Sequence, residues 1–161
     1  MNLNKTEYDP KLNSYEVVIA GGAMIGTAIA WFLISNKDFN GKILVVEKDP
    51  TLEFSSTSRT NNSIRQQFSN RLNIEISKFS SNYILNFKSY MENDERIPEI
   101  MFNKIGYLYL ADNINKINLL KQNQKLQNSL NIPTQIYNQN SLLEKFPYLN
   151  SNKLVGGSYN N

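Results

Sequence analysis

Residues 17–26 read VVIAGGAMIG, and the fold turns on whether those glycines lie beneath a nucleotide's phosphates or inside a lipid bilayer. Val17 opens an uncharged run of 18 residues that ends at Ile34 (VVIAGGAMIGTAIAWFLI), the lower limit for a membrane-spanning helix. Gly22 and Gly26 also form a GxxxG pair of the kind that packs transmembrane helices. The flanks point the other way. Glu16 to Ala20 (EVVIA) is a short β-branched run, the glycines follow at once, and Met24 to Asn36 is compatible with a helix. Polar breakers (NKDFNG) come next, and Lys42 to Glu47 (KILVVE) is a second apolar run ending on an acid. The long run has no clear positive flank, so no membrane span is expected.

Strand, glycine turn, helix and strand make a βαβ unit of the size used for dinucleotides. The chemistry of such a unit gives each position a task. Gly21 allows the tight turn off the strand, residue 23 must be small so that backbone N–H groups approach a pyrophosphate, and Gly26 lets the helix pack closely on the sheet. The middle position is Ala23 rather than glycine, the smallest departure from G-x-G-x-x-G. Glu47 lies 21 residues past Gly26, where a carboxylate accepts hydrogen bonds from an adenosine ribose. An ordinary buried strand and core helix with an incidental acid is the bland alternative.

Composition narrows the chemistry. The 161 residues are 40% hydrophobic and 19% charged, values of a globular domain with a real core. With no cysteine and no histidine, disulfides, thiolate or imidazole catalysis and the common zinc sites are excluded within these residues, so no metal is expected. The lack of cysteine fits a reducing cytoplasm. A formal charge of +3, carried by scattered basic residues, gives no nucleic-acid footprint. Abundant asparagine alongside Ile and Lys suggests an AT-rich coding sequence. The opening MNLNKTEYDPKLNS has neither an apolar core nor a small-residue cleavage site, so no signal peptide is expected.

Past Glu47, the segment KDPTLEFSSTSRTNNSIRQQF concentrates hydroxyls and amides with Arg59 and Arg65, and on its own reads as a polar loop capping the next helix. In order, VVIAGGAMIG, ILVVEKDP, SSTSRTNNSIRQQFS and IGYLYLAD resemble the FAD-dependent amino acid and amine oxidoreductases of the D-amino acid oxidase and sarcosine oxidase type. Within that superfamily the chain is similar to the subgroup with an S-I-R-Q-Q-F signature, and the resemblance runs from Tyr15 onward. It implies that Gly21, Gly22, Ala23, Met24, Ile25 and Gly26 lie at the FAD pyrophosphate, Glu47 on the ribose, and Lys48 beside the adenine. It also implies that Ser56, Thr57 and Ser58 serve the phosphates and ribityl chain. Arg65 falls where the family places a basic residue near the flavin ring, a fixed charge that would favour anionic reduced flavin. Arg59 stands close in sequence, and either arginine could instead contact phosphate.

The fold class implied is α/β, a Rossmann-like βαβ unit for FAD followed by the start of an α+β substrate domain, in an incomplete chain. Residues 1–14 are expected to be a polar tail, 15–100 the FAD-binding part, and 101–161 the beginning of a substrate domain. Leu72, Ile76, Phe79, Tyr83, Phe87 and Tyr90 recur at helical spacing and are expected to face a core. Ile105 to Ala111 alternates like a half-buried strand, with Tyr107 and Tyr109 candidates to face substrate. A polar helix is expected over Ile114 to Leu130, a short one from Ser141 to Pro147, and a glycine-bearing strand in KLVGGSY.

The expected activity is oxidation of an amine or amino acid, such as a sarcosine-like secondary amine, by hydride transfer to flavin. Family members continue beyond this point, so a missing C-terminal segment or a partner subunit is expected to be required. The alternative is a non-catalytic fragment or subunit that binds nucleotide only with a partner chain. An NAD-dependent dehydrogenase has no need of the S-I-R-Q-Q-F loop.

Overall fold

The computed structural model describes residues 10–161. The expectations of a tail and of no signal peptide rest largely on residues 1–9, outside the described residues. The chain divides into two compact units, residues 1–63 and residues 64–161.

The first unit is β1 (Val17–Ala20), α1 (Met24–Ile34) and β2 (Ile43–Val46). The strands pair in parallel with Val17 opposite Ile43 and Ala20 opposite Val46. Gly21 N–H extends the ladder to the Val46 carbonyl at 2.7 Å. Two glycines permit this geometry. Gly21 has φ +108°, which a side chain would strain. Gly26 is buried, and a Cβ there would stand 1.8 Å from the Gly21 carbonyl oxygen and 3.3 Å from Ile19 Cγ2. Ile19 is the single buried large apolar side chain of this unit among the described residues. By contrast Met24, Ile25, Ile29 and Phe32 of α1 are exposed, as are Val18 and Val46 of the strands. The 18-residue apolar run is a four-residue strand, a glycine turn and an 11-residue helix, and among the described residues no helix is long and apolar enough to cross a membrane.

The second unit has the larger core. α2 (Arg71–Leu85), α3 (Phe87–Tyr90), α4 (Ile114–Ser129) and α5 (Gln139–Lys145) accompany three antiparallel strands, β3 (Tyr107–Ala111), β4 (Gln135–Asn138) and β5 (Gly156–Asn160). The sheet order is β3-β5-β4, so the glycine-bearing strand is central, with Tyr109 opposite Ser158 and Tyr137 opposite Gly157. Ile74, Ala111, Ile117, Ile132 and Leu142 are buried. The strand β4 was not expected from the sequence. It is four residues long and follows a proline, and only pairing with β5 distinguishes it from a loop.

The apolar stripe of the second helix departs from its expected role. Leu72, Ile76, Phe79 and Tyr90 are 65%, 54%, 55% and 47% exposed, while Ile74, Ser77 and Ser81 form the buried side of α2. The aromatic members stack on one another, Phe79 on Tyr83 within α2 and Tyr83 on Tyr90 of α3, at 6.1 and 4.5 Å between centroids. The helix also breaks at Asn86, whose side-chain amide donates back to the Asn82 carbonyl at 2.8 Å.

Asparagine has a structural use that composition alone did not disclose. Asn70, Asn113 and Asn138 are the N-caps of α2, α4 and α5, each side chain accepting from a backbone N–H three residues on at 2.9–3.0 Å. Such a cap contributes ~1 kcal/mol. The last helix thus starts from Asn138 rather than from the expected Ser141, because the amide side chain reaches the exposed N–H groups first.

Gly26→Ala should destabilise the first unit by ~1–3 kcal/mol, the cost of forcing a methyl into a filled contact. The check is a denaturant titration followed by the fluorescence of Trp31 in α1; an unchanged midpoint would refute the contact.

Candidate functional site

The glycine turn ends at Ala23, which caps α1 in an extended conformation (φ −76°, ψ −169°) and offers no side-chain acceptor. The first turn of α1 also lacks an acidic residue. The first turns of α2, α4 and α5 lack an acid too, so it is the missing side-chain cap that sets α1 apart from those three asparagine-capped helices. The opening N–H groups and the positive end of the helix dipole are therefore left to something other than a side-chain carboxylate or amide. One partner is present, since Met24 N–H donates to Thr57 Oγ1 at 3.3 Å. A Cβ on Gly21 would meet nothing within 4 Å, so the turn borders open space.

Glu47 links the turn to the end of β2. Its Oε2 accepts from Gly22 N–H at 2.7 Å, and its Oε1 accepts from Asp49 N–H at 2.9 Å. A Cβ on Gly22 would sit 3.1 Å from Glu47 Cβ, so a larger residue would press on the acid. The Asp49 N–H first, and the Gly22 N–H next, hold the Glu47 carboxyl below the usual carboxylate range. It is therefore ionised at neutral pH, and each oxygen keeps a lone pair for a further donor. Asp49 is itself held by Thr51, which donates from its hydroxyl at 2.6 Å and from its N–H at 3.0 Å.

The hydroxyl segment separates into distinct roles. Ser58 is engaged in its own turn, donating to the Leu52 carbonyl at 2.7 Å and lying 3.0 Å from Ser55 Oγ. Ser56 and Lys48 are exposed. Arg59 stacks over Phe54 at 4.9 Å. Gly21, Gly22, Ala23, Met24, Glu47 and Thr57 thus come together, and Ile25, 76% exposed, follows on the open side of α1. Gly26 is buried beneath the turn and contributes packing.

Arg65 belongs to the second unit. Its guanidinium lies 4.6 Å from the centroid of Phe68 and 5.8 Å from that of Tyr109. Among the described residues none of the ion pairs involves it. With Gln67, Phe68, Tyr109 and Gln127 it borders a cleft of about 200 Å³. Tyr109, a candidate to face substrate, is on this cleft. Sequence reasoning missed Asp49, Gln67 and Gln127. A signal existed for Asp49, two residues past the acid that follows β2, whereas nothing near Gln127 in the sequence announces its place.

The donor set suits a dinucleotide: small residues and free amides at a helix start, with an ionised acid beside them. Residues 16–161 match a family model described as FAD dependent oxidoreductase. The FAD-dependent oxidoreductase domain-containing protein 1 of Xenopus laevis is 35% identical over 148 residues, which cover 89% of this chain and 29% of that protein. The crystal structure of L-proline dehydrogenase from P. horikoshii aligns with TM-score 0.68 at 27% identity, over 90% of this chain and 36% of that one. Glycine oxidase from Geobacillus kaustophilus shares the fold, with TM-score 0.68 at 21% identity over 90% of this chain and 38% of that one. The chain spans about a third of the length of these proteins.

A carboxyl whose folded pKa is depressed contributes stability above its unfolded pKa, and that contribution is lost as pH falls through the folded value. The stability of the wild type should therefore fall more steeply than that of Glu47→Gln as pH drops below about 4.5, the ordinary value for this group. Denaturant midpoints across that range test this, and parallel profiles would refute it.

Proposed function

We propose, on the premise that this chain belongs to the family of FAD dependent oxidoreductases, that its first unit holds the adenosine diphosphate half of FAD and that the whole protein oxidises an amine or amino acid. The observation that carries this reading is the Glu47 carboxylate bonded to Gly22 N–H beside the unclosed start of α1. Gly21 and Gly22, whose own N–H groups are held by the Val46 carbonyl and Glu47, would let the pyrophosphate approach, the amides of Ala23, Met24 and Ile25 would donate to it, Glu47 would accept from the ribose hydroxyls, and Lys48 would flank the adenine. Thr57, already at Met24 N–H, would share the phosphate with that amide, and Ser56 and Ser58 would line the neighbouring chain of hydroxyls.

Bound FAD supplies the hydride acceptor. Arg65, exposed and in no ion pair among the described residues, is assigned the fixed positive charge toward the flavin ring. The similarity to L-proline dehydrogenase at 27% identity supports a secondary amine, sarcosine-like in class, because the nitrogen of proline is secondary. In this reading residues 15–100 serve the cofactor and residues 101–161 open the substrate domain, and the protein works in the cytoplasm on a small molecule.

A second reading rests on the apolar face of α1, on which Met24, Ile25 and Ile29 are exposed. A surface of that kind is covered in a working protein, so further polypeptide, either continuous with this chain or supplied as a partner subunit, would complete the cofactor site. The 161 residues by themselves would then be a weak nucleotide binder without catalysis.

Both readings expect weak FAD binding by the 161 residues alone, read by quenching of flavin fluorescence. Glu47→Gln should weaken it about tenfold or more, the scale of one hydrogen bond to a charged group. Tight, stoichiometric flavin in the isolated chain would overturn the need for further polypeptide, and equal affinity in Glu47→Gln would overturn the ribose assignment. In flavin-loaded protein of family length, Arg65→Gln should lower the flavin reduction potential, since a positive charge favours the reduced form. An unchanged potential would remove Arg65 from the flavin ring.

A further inference from the structure

We propose that Gln127 and Ser77 are positioning residues for the Arg65 guanidinium, acting through the backbone of residues 64–68. The inference rests on the role given to Arg65 above. The segment Ile64 to Phe68 (IRQQF) has no regular secondary structure, so no helix or strand ladder fixes it. Side chains from distant elements do so instead. Ser77, buried on α2, donates its hydroxyl to the Arg65 carbonyl. Gln127, on α4 and 3% exposed, donates from Nε2 to the Phe68 carbonyl at 3.0 Å. Gln66 is tied to Ser81 of α2 at 2.6 Å. With its amide oriented to suit both neighbours, Gln67 donates to the Tyr107 carbonyl and accepts from Asn160 N–H, each at 3.2 Å.

These anchors bracket Arg65. One holds its own carbonyl, and another holds the carbonyl of Phe68, whose ring lies under the guanidinium at 4.6 Å. Tyr109 of β3 supplies the second ring at 5.8 Å. The cation therefore has its place set by two rings and two carbonyl anchors rather than by a carboxylate, which leaves its charge uncancelled for use elsewhere. A stacked guanidinium is held in direction while keeping its outward N–H groups free.

Gln127 also carries a cost that simple packing would avoid. Its Oε1 is buried without a partner, an arrangement that an apolar side chain of the same length would not suffer. What the amide provides in return is the bond to Phe68. Gln127 stands 59 residues from Phe68, so the positioning is a product of the tertiary fold.

The test reads the Arg65 side chain by NMR in the full chain after isotope labelling. In the wild type the Arg65 Cδ protons should be shifted upfield by the Phe68 and Tyr109 rings. Gln127→Met keeps the length and removes the donor, and Ser77→Ala removes the hydroxyl. Each should lose at least half of that upfield shift while the amide spectrum of β3 and β5 is kept, and Ser77→Thr, which retains a hydroxyl, should restore it. A wild type without the shift, or a folded Gln127→Met or Ser77→Ala that retains it in full, overturns the proposal. Should only one of the two fold, that one decides; unfolding of both also overturns it, because the residues would then serve the fold alone. The readout needs no flavin, so a failed clamp is distinguishable from a failed Arg65 assignment, which the flavin potential tests separately.

Discussion

Everything in the first unit depends on the absence of one carbon. The α1 backbone at Gly26 lies so close to the Gly21 carbonyl that a Cβ would stand 1.8 Å from its oxygen. That contact presses the helix start against the end of β1, and the turn between them has only three residues in which to reverse. Gly21 accordingly takes a left-handed φ, and Gly22 N–H is brought to the Glu47 carboxylate. A helix one methyl further away would move its first N–H groups out of line with the acid that follows β2. Packing and the candidate binding chemistry are thus one constraint.

The second unit solves a different problem. Its residues 64–68 run without a ladder across two helices and a sheet, and backbone carbonyls in such a stretch need partners. Ser77 and Gln127 supply them from the buried sides of α2 and α4. Polar residues on those sides explain why the apolar stripe of α2 faces outward: the inward side receives backbone and is fitted with short hydroxyls. The aromatic stripe satisfies itself by stacking across α2 and α3.

The units differ in how much they bury. The first has Ile19 as its buried large apolar side chain among the described residues, with one face of α1 uncovered, whereas the second encloses Ile74, Ile132 and Leu142 completely. Apolar burial contributes about 25 cal/mol per Å², so the βαβ unit lacks the stabilisation that a covering layer would bring. A parallel strand pair of this kind is ordinarily covered on both faces and continued at its edges. The chain spans about a third of the length of the relatives it matches.

The sequence by itself determined the features that are local in the chain. A β-branched run, a glycine turn, a helix and a second run ending on Glu47 fall within residues 16–47, so the elements of the βαβ unit are written in one short stretch of chain. Helix and strand positions in the second half were legible for the same reason, as periodicity is a property of short windows. Periodicity does not say what a face will meet, and so the stripe from Leu72 to Tyr90 was expected in a core, whereas Leu72, Ile76, Phe79 and Tyr90 lie at the surface and Tyr83 and Phe87 are half-buried. The strand β4 exists only because β5 pairs with it, and composition alone did not reveal Asn70, Asn113 and Asn138 as helix caps. Only the tertiary structure decided that Glu47 is shared between Gly22 and Asp49, that Thr57 meets the start of α1, and that Gln127 reaches Phe68. These are meetings between side chain and backbone that depend on how elements pack, and nothing in a residue's own neighbourhood encodes a partner 59 positions away.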